Sequence, residues 1–255
     1  MQIAHRIREE VQALRDCTDM DDATPVLERI GQAIGATRIA WSPDLSRPHF
    51  DPLMDRFHRQ QGWPDEIMQL WWNNHATLKM PFYIRCRFEH LPFATDPASS
   101  DATGAPVEQR RATTIVGRLD ITSMITTPLH LPRGQVAMMT WASGASVAEA
   151  RKIIASCTPE LLACGHFFMA IILRQSGGRR GLGGEELSRL TPREWECLRL
   201  TAQGYREREV AEICSVSTTT VRFHLDNVVR KLGASTRTHA VALAAQLGML
   251  GPIGV

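Results

Sequence analysis

This 255-residue sequence has little of what catalysis, metal binding or export requires. Its six cysteines include no CxxC pair and no Cys/His spacing suited to zinc. Cys197 and Cys214 fall on apolar helix faces, where free thiols act as small hydrophobes. The nine histidines are scattered, and there is no Gly-rich phosphate loop, Gly-x-Ser-x-Gly elbow or His-Glu-x-x-His pair. No aspartate stands as a phosphoacceptor in a receiver-like pattern. An enzyme is therefore not expected, and neither a cofactor nor a metal is called for. The N-terminus lacks an apolar leader, and no stretch reaches the roughly 18 apolar residues of a membrane span. The longest, 161–173, is interrupted by Cys164-Gly165-His166 and reads as a buried helix. The expectation is a reduced, cytoplasmic chain without a membrane partner. Net charge is only +2, and residues 190–250 carry eight Lys/Arg against six Asp/Glu. Any positive field must therefore sit on one face.

What is present is ordinary globular material, 44% hydrophobic and 22% charged, enough for two modest domains. Ile3, Ile7, Val11 and Leu14 share one face of a predicted helix over 2–16. A second helix is predicted from about Asp22 to Ile34, capped by Asp21 or Asp22 and ended by Gly35. A strand at 37–41 and short helices at 51–60 and 64–75 follow. Residues 82–88 alternate in a way that fits strand or helix. The stretch 96–111 is polar and reads as a surface loop. Two β-rich runs, 122–131 and 135–143, flank Pro132-Arg133-Gly134 as a hairpin. Ser146 with Glu149 makes a capping box for a helix to about 175, with a break expected near Thr158-Pro159. Residues 176–184 hold five glycines in nine, which marks a linker over 176–187 between domains 1–175 and 188–255.

The most informative stretch lies beyond the linker. Ser217 is placed to cap a helix, behind which Val221, His224 or Leu225, Val228 and Leu232 share an inward face. Thr218, Thr219, Arg222, Phe223, Asp226 and Arg230 lie on the other face, and a shorter helix precedes the turn. This pattern suits a helix-turn-helix that enters the major groove of DNA. The frame Leu190-Thr191-x-Arg193-Glu194, Gly204, Glu209-Val210-Ala211, Ser217, Thr220-Val221-x-x-His224, Asn227 and Lys231-Leu232 resembles the DNA-binding domain of LuxR-type transcription regulators. Two positions depart from that family. Arg206 stands where a Ser or Thr cap is usual, and Ser215 stands where a turn glycine is usual. The DNA-contacting candidates are Ser217, Thr218, Thr219, Thr220, Arg222, Phe223, Asn227, Arg230 and Lys231. Arg222 is the expected base reader, and Arg230 and Lys231 are expected on phosphates. The apolar stripe Ala240, Leu243, Ala244, Leu247 and Leu250 on the last helix has a core-covering part, and the resemblance implies that the rest pairs two copies over an inverted-repeat operator.

The element order of the first 175 residues resembles the α-β-α signal-binding domain of quorum-sensing regulators. The expected class is thus α+β: an α-β-α sandwich followed by an all-α four-helix domain. On that resemblance the signal-contacting positions fall at Ile67, Trp71, Met80, Pro81, Thr95, Met124 and Thr126. The family's amide-anchoring Asp is replaced by Met80, and its strand glycine by Met124. A carboxylate–amide bond is worth about 1.5–3 kcal/mol, and a thioether accepts only weakly. Three readings stay open for this region: a core filled without ligand, a small nonstandard apolar signal molecule, or an ordinary acyl-homoserine lactone. A chain that heterodimerises with a related receptor and inhibits it is the competing function. Such a protein would not need Thr218, Thr219, Arg222 and Arg230 on an outward face.

Overall fold

The computed structural model describes residues 2–46, 50–73, 80–97, 107–176 and 190–250. The division into two compact units falls between Gly178 and Arg179. The linker predicted over 176–187 lies outside the described residues from 177 onward, as do residues 74–79 and 98–106.

The first unit is built on one antiparallel sheet of four strands: β1 (Arg38–Ser42), β2 (Phe93–Thr95), β3 (Ser123–Leu131) and β4 (Gln135–Ser143), in the order β1-β4-β3-β2. The hairpin joining β3 and β4 turns through a 3₁₀ step at Pro132–Gly134, with Gly134 at φ +69°. Side chains alternate across the sheet, and both faces are covered. Ile39, Trp41, Ile125, Leu129, Ala137, Met139 and Trp141 point to one core, shared with α1 (Gln2–Asp16), α2 (Met20–Ala33), α3 (Pro52–Gln60) and α7 (Val147–Gln175). Ala40, Met124 and Ala142 point to the opposite core, shared with α4 (Asp65–Asn73) and α6 (Val107–Gly117). Met138 packs beside them against α5 (Pro81–Phe88). This is the expected α-β-α sandwich.

Several boundaries differ from expectation for local reasons. Asp19, not Asp21 or Asp22, caps α2, accepting the Asp22 N–H at 3.0 Å. Residues 82–88 are helical, begun by Pro81 in the first turn, where its missing N–H costs nothing. Helix α6 takes up 107–111, which were expected in the loop. Pro159 does not break α7, which runs unbroken for 29 residues. Ala155, whose carbonyl loses its partner to the proline, is exposed like Pro159, so water can meet that carbonyl. Ile3 is also more exposed than its helix face suggested. Helix α7 is long and apolar enough to cross a membrane, yet about half of its most apolar window is buried inside the protein. Gly165 lets it approach β3: a Cβ there would lie 2.7 Å from the Leu129 side chain.

The second unit has four helices: α8 (Pro192–Ala202), α9 (Glu207–Ile213), α10 (Thr218–Lys231) and α11 (Arg237–Gln246). All four end the same way, with a residue of positive φ at Gly204, Ser215, Gly233 or Gly248. After α9 the Ser215 N–H reaches Glu212 O at 3.2 Å, and the Val216 N–H reaches Ala211 O at 3.0 Å. That is the paired Schellman bonding of a left-handed C-cap. Ser215, at φ +55°, therefore does a glycine's work at the cost of a Cβ clash.

Two stability predictions follow from these positions. Ser215→Gly should raise the unfolding free energy of the second unit by about 0.5–1 kcal/mol in urea titration, the relieved strain being partly offset by glycine's unfolded-state entropy. The other concerns His58, which is buried, with its Nε2 accepting the Trp41 N–H at 3.0 Å. Burial pushes its pKa down from 6.5 to about 3, outweighing the nearby Asp55 charge. Because the folded value is depressed, this contribution is complete above pH 6.5 and is lost as pH falls toward 3. Stability should drop by about 1.4 kcal/mol per pH unit across that window. His58→Gln, which keeps an acceptor for Trp41, should flatten the slope; an unchanged slope would locate the titration elsewhere.

Candidate functional site

Helices α9 and α10, joined by 214–217, form the helix-turn-helix. The Ser217 hydroxyl accepts the Thr220 N–H at 3.0 Å and lies 2.8 Å from the Thr220 hydroxyl, fixing the start of α10. Val221, Leu225 and Val228 are buried behind it. Thr219, Arg222, Phe223, Asp226 and Arg230 recur at three- and four-residue spacing on the exposed side, joined at the N-terminal end by Thr218. Phe223 is 64% exposed, with the His224 ring 5.9 Å away. Asn227 is half-buried and accepts from Arg230 at 2.8 Å.

Helix α9 starts without a side-chain cap, as the Arg206 substitution implied. The Glu209 carboxylate takes the Arg206 N–H at 2.7 Å, but a guanidinium has no acceptor with which to close the other half of a capping box. Helix α8 carries the complete version: Thr191 Oγ1 accepts from Glu194 N at 3.3 Å, and Glu194 accepts from Thr191 N at 2.7 Å.

Glu194 has a second task. Lys231 Nζ donates to its two carboxylate oxygens at 2.9 and 2.6 Å, bringing the last turn of α10 onto the first turn of α8. Burial alone would raise the Glu194 pKa, but the Lys231 ammonium and the Thr191 N–H hold it below the usual carboxylate value. Lys231, expected on phosphate, here places its ammonium against a carboxylate of its own domain. Arg222 remains outward, its side chain 62% exposed, with Nε on Glu207 at 2.6 Å.

In the first unit, a cavity of about 200 Å³ opens beside the sheet face covered by α5 and α6. Of the seven signal-contacting candidates, Met80, Pro81, Thr95 and Met124 line it. The other three candidates lie elsewhere. Ile67 is fully packed in the adjacent core. Trp71 lies at a steep angle to the rings of Trp63 (5.4 Å) and His58 (5.0 Å). Thr126 pairs its hydroxyl with that of Thr140 across the strands at 3.1 Å. The lining also includes Phe82, Ala112 and Val116, and at its polar side Asp96, Gln109 and Thr113. Asp96, an acidic residue just after β2, thus lines this cavity although position 80 carries no acid. The Thr95 hydroxyl is buried with no hydrogen-bond partner. No spacing in the sequence ties Asp96 to Met124. Among the described residues no cluster of three or more His, Cys, Asp or Glu could hold a metal.

A small hollow beside a sheet, followed in the chain by a helix-turn-helix, is the arrangement of a transcription regulator with a sensory domain. The chain belongs to the luxR family of bacterial regulatory proteins: the family model of that name matches residues 188–244, and the autoinducer binding domain matches residues 19–171. It is a DNA-binding regulator and not an enzyme. The transcriptional activator protein ExpR of Dickeya dadantii is 25% identical over 198 residues, covering 76% of this chain and 78% of that one. The quorum sensing-dependent regulator RpaR of Rhodopseudomonas palustris is 28% identical over 189 residues, covering 74% and 73%. The HTH-type transcriptional regulator y4qH of Sinorhizobium fredii is 29% identical over 189 residues, covering 74% of this chain but only 54% of that longer protein. The crystal structure of Escherichia coli SdiA has the same fold, with a TM-score of 0.54, 16% identity, and 96% and 98% of the two chains covered.

Lys231→Met should remove the ammonium and leave the Glu194 carboxylate with little but the Thr191 N–H. Breaking a well-buried pair typically costs about 3–5 kcal/mol; partial exposure of Lys231 lowers the expectation to about 2 kcal/mol in denaturant unfolding. A loss below about 0.5 kcal/mol would make the pair an ordinary surface contact.

Proposed function

We propose that this protein is a cytoplasmic homodimer that reads an inverted-repeat operator in double-stranded DNA through the outward face of α10. Its sensory cavity takes a small, mostly apolar signal molecule in place of a long-chain acyl-homoserine lactone. The observation that carries the second part is the cavity. At about 200 Å³ it is smaller than the roughly 300–1,000 Å³ of usual ligand pockets, and Met80 and Met124 occupy its walls. The methionines give an adaptable apolar lining, while Thr95 and Asp96 offer polar contacts at one side. The first part is supported by α10, where Thr218, Thr219, Arg222 and Arg230 are exposed together. Asp226, which would otherwise repel phosphate, is paired with Arg237 at 2.7 Å. These features favour a DNA reader over a partner that merely blocks a related receptor. The description of RpaR as quorum sensing-dependent supports the same setting for this chain.

The test is thermal melting of the full-length protein with saturating N-dodecanoyl homoserine lactone, alongside its native mass spectrum. A ligand bound at 100 times its Kd adds about 2.7 kcal/mol, which would raise Tm by several degrees in a unit of this size. The expected result is an unmoved Tm and a dimer that is folded without lactone. A rise of several degrees would restore an ordinary lactone receptor.

A further inference from the structure

Four charged side chains form one continuous line across three helices of the second unit. Asp226 on α10 accepts from Arg237 on α11 at 2.7 Å. Arg237 also donates to Oε1 of Glu207, at the start of α9. Oε2 of Glu207 in turn accepts from Nε of Arg222, on the outward face of α10, at 2.6 Å. The Glu207 carboxylate is therefore held between two guanidinium groups, and its pKa lies below the ordinary carboxylate value, with the Arg222 bond the leading cause.

The atom through which Arg222 is held matters. A carboxylate on Nε leaves the two terminal amino groups uncommitted to it, and these form the fork that a guanine presents to with O6 and N7. An unrestrained arginine must give up rotamer freedom on reaching a base edge, whereas one anchored at Nε has given up part of it beforehand. The anchor is the less exposed partner, at 30% against 62% for Arg222, so the guanidinium projects from a fixed base toward solvent. Glu207 is itself fixed by Arg237, which makes it a support that does not depend on DNA being present.

We propose that Glu207 is a specificity-determining positioning residue: it holds Arg222 by Nε so that the remaining fork reads one guanine in each half-site. The inference rests on Arg222 being a base reader, as the proposed function has it. A purely structural role for Glu207, bridging three helices, would lower affinity for all sequences alike. A positioning role lowers discrimination at one base pair.

The experiment is binding-site selection from a randomised duplex library, at one fixed salt concentration, with full-length wild type, Glu207→Ala, Glu207→Gln and Arg222→Ala. Glu207→Ala should reduce the preference at the base pair affected by Arg222→Ala by about tenfold, the scale of one bidentate contact. Its binding to unselected DNA should be unchanged or tighter, because a negative charge has been removed. Glu207→Gln, with an acceptor of the same reach but no charge, should fall between, at a several-fold loss, and it carries the test should the alanine variant melt below the assay temperature. Full wild-type preference in Glu207→Gln and Glu207→Ala, or an equal loss on every sequence, would overturn the proposal. An Arg222→Ala variant with unchanged preference would remove the reader itself, and the proposal with it; an effect of Arg222→Ala without one of Glu207→Ala would remove Glu207's part alone.

Discussion

The buried carboxylate of Glu194 is the constraint on which the DNA-reading unit depends. Its backbone lies in the first turn of α8, and its side chain closes that helix's capping box while receiving the ammonium from the end of α10. One acidic group thus sets both where α8 begins and where the recognition helix ends. The apolar core beneath it is small and divided, with Val210, Val221 and Leu225 in one cluster and Leu198, Val228 and Leu232 in another. Cores of this size fix helix angles loosely, because dispersion and burial are non-directional. Directional charge pairs supply the missing orientation. Glu207, Arg237 and Asp226 do the same on the opposite side of α10, so the helix that meets DNA is tied at several points along its length.

Much of this was legible in the sequence where chemistry is local. Caps announce themselves within four residues, which is why Ser217 and Ser146 with Glu149 could be placed correctly; the equally local Thr191–Glu194 box was not read as one. The hairpin around Pro132-Arg133-Gly134 and the left-handed demand on Ser215 were equally local. Features left open or misread depend on what packs against them. Seven alternating residues at 82–88 suit either element, and Pro81 decides the matter only once the neighbouring strands are known to be filled by others. Pro159 reads as a helix breaker until its freed carbonyl is seen to face outward. The Lys231–Glu194 pair was out of reach because its partners are 37 positions apart. Glu207 and Arg222 are 15 apart on different helices, so their bond exists only through the angle between α9 and α10.

The sensory cavity shows the same division. Met80 and Met124 were readable as bulky replacements, and both are found on the cavity wall. The polar side was not readable, because Asp96 arrives from the end of β2 and Gln109 and Thr113 from α6, two segments that no sequence spacing ties together. The first unit also retains polar atoms buried without partners, including Trp41 Nε1, Trp141 Nε1 and His58 Nδ1. Each costs about 1–3 kcal/mol relative to a satisfied group.

The central claim is that the reading face is set by carboxylate–guanidinium pairs before DNA arrives. The arginine Nε–H resonances of ¹⁵N-labelled full-length protein without DNA report on this directly. The account predicts a separate, slowly exchanging Arg222 Nε–H signal that collapses toward the exposed-arginine average in Glu207→Ala. An Arg222 signal already averaged with exposed arginines in the wild type, and indifferent to Glu207, would contradict it.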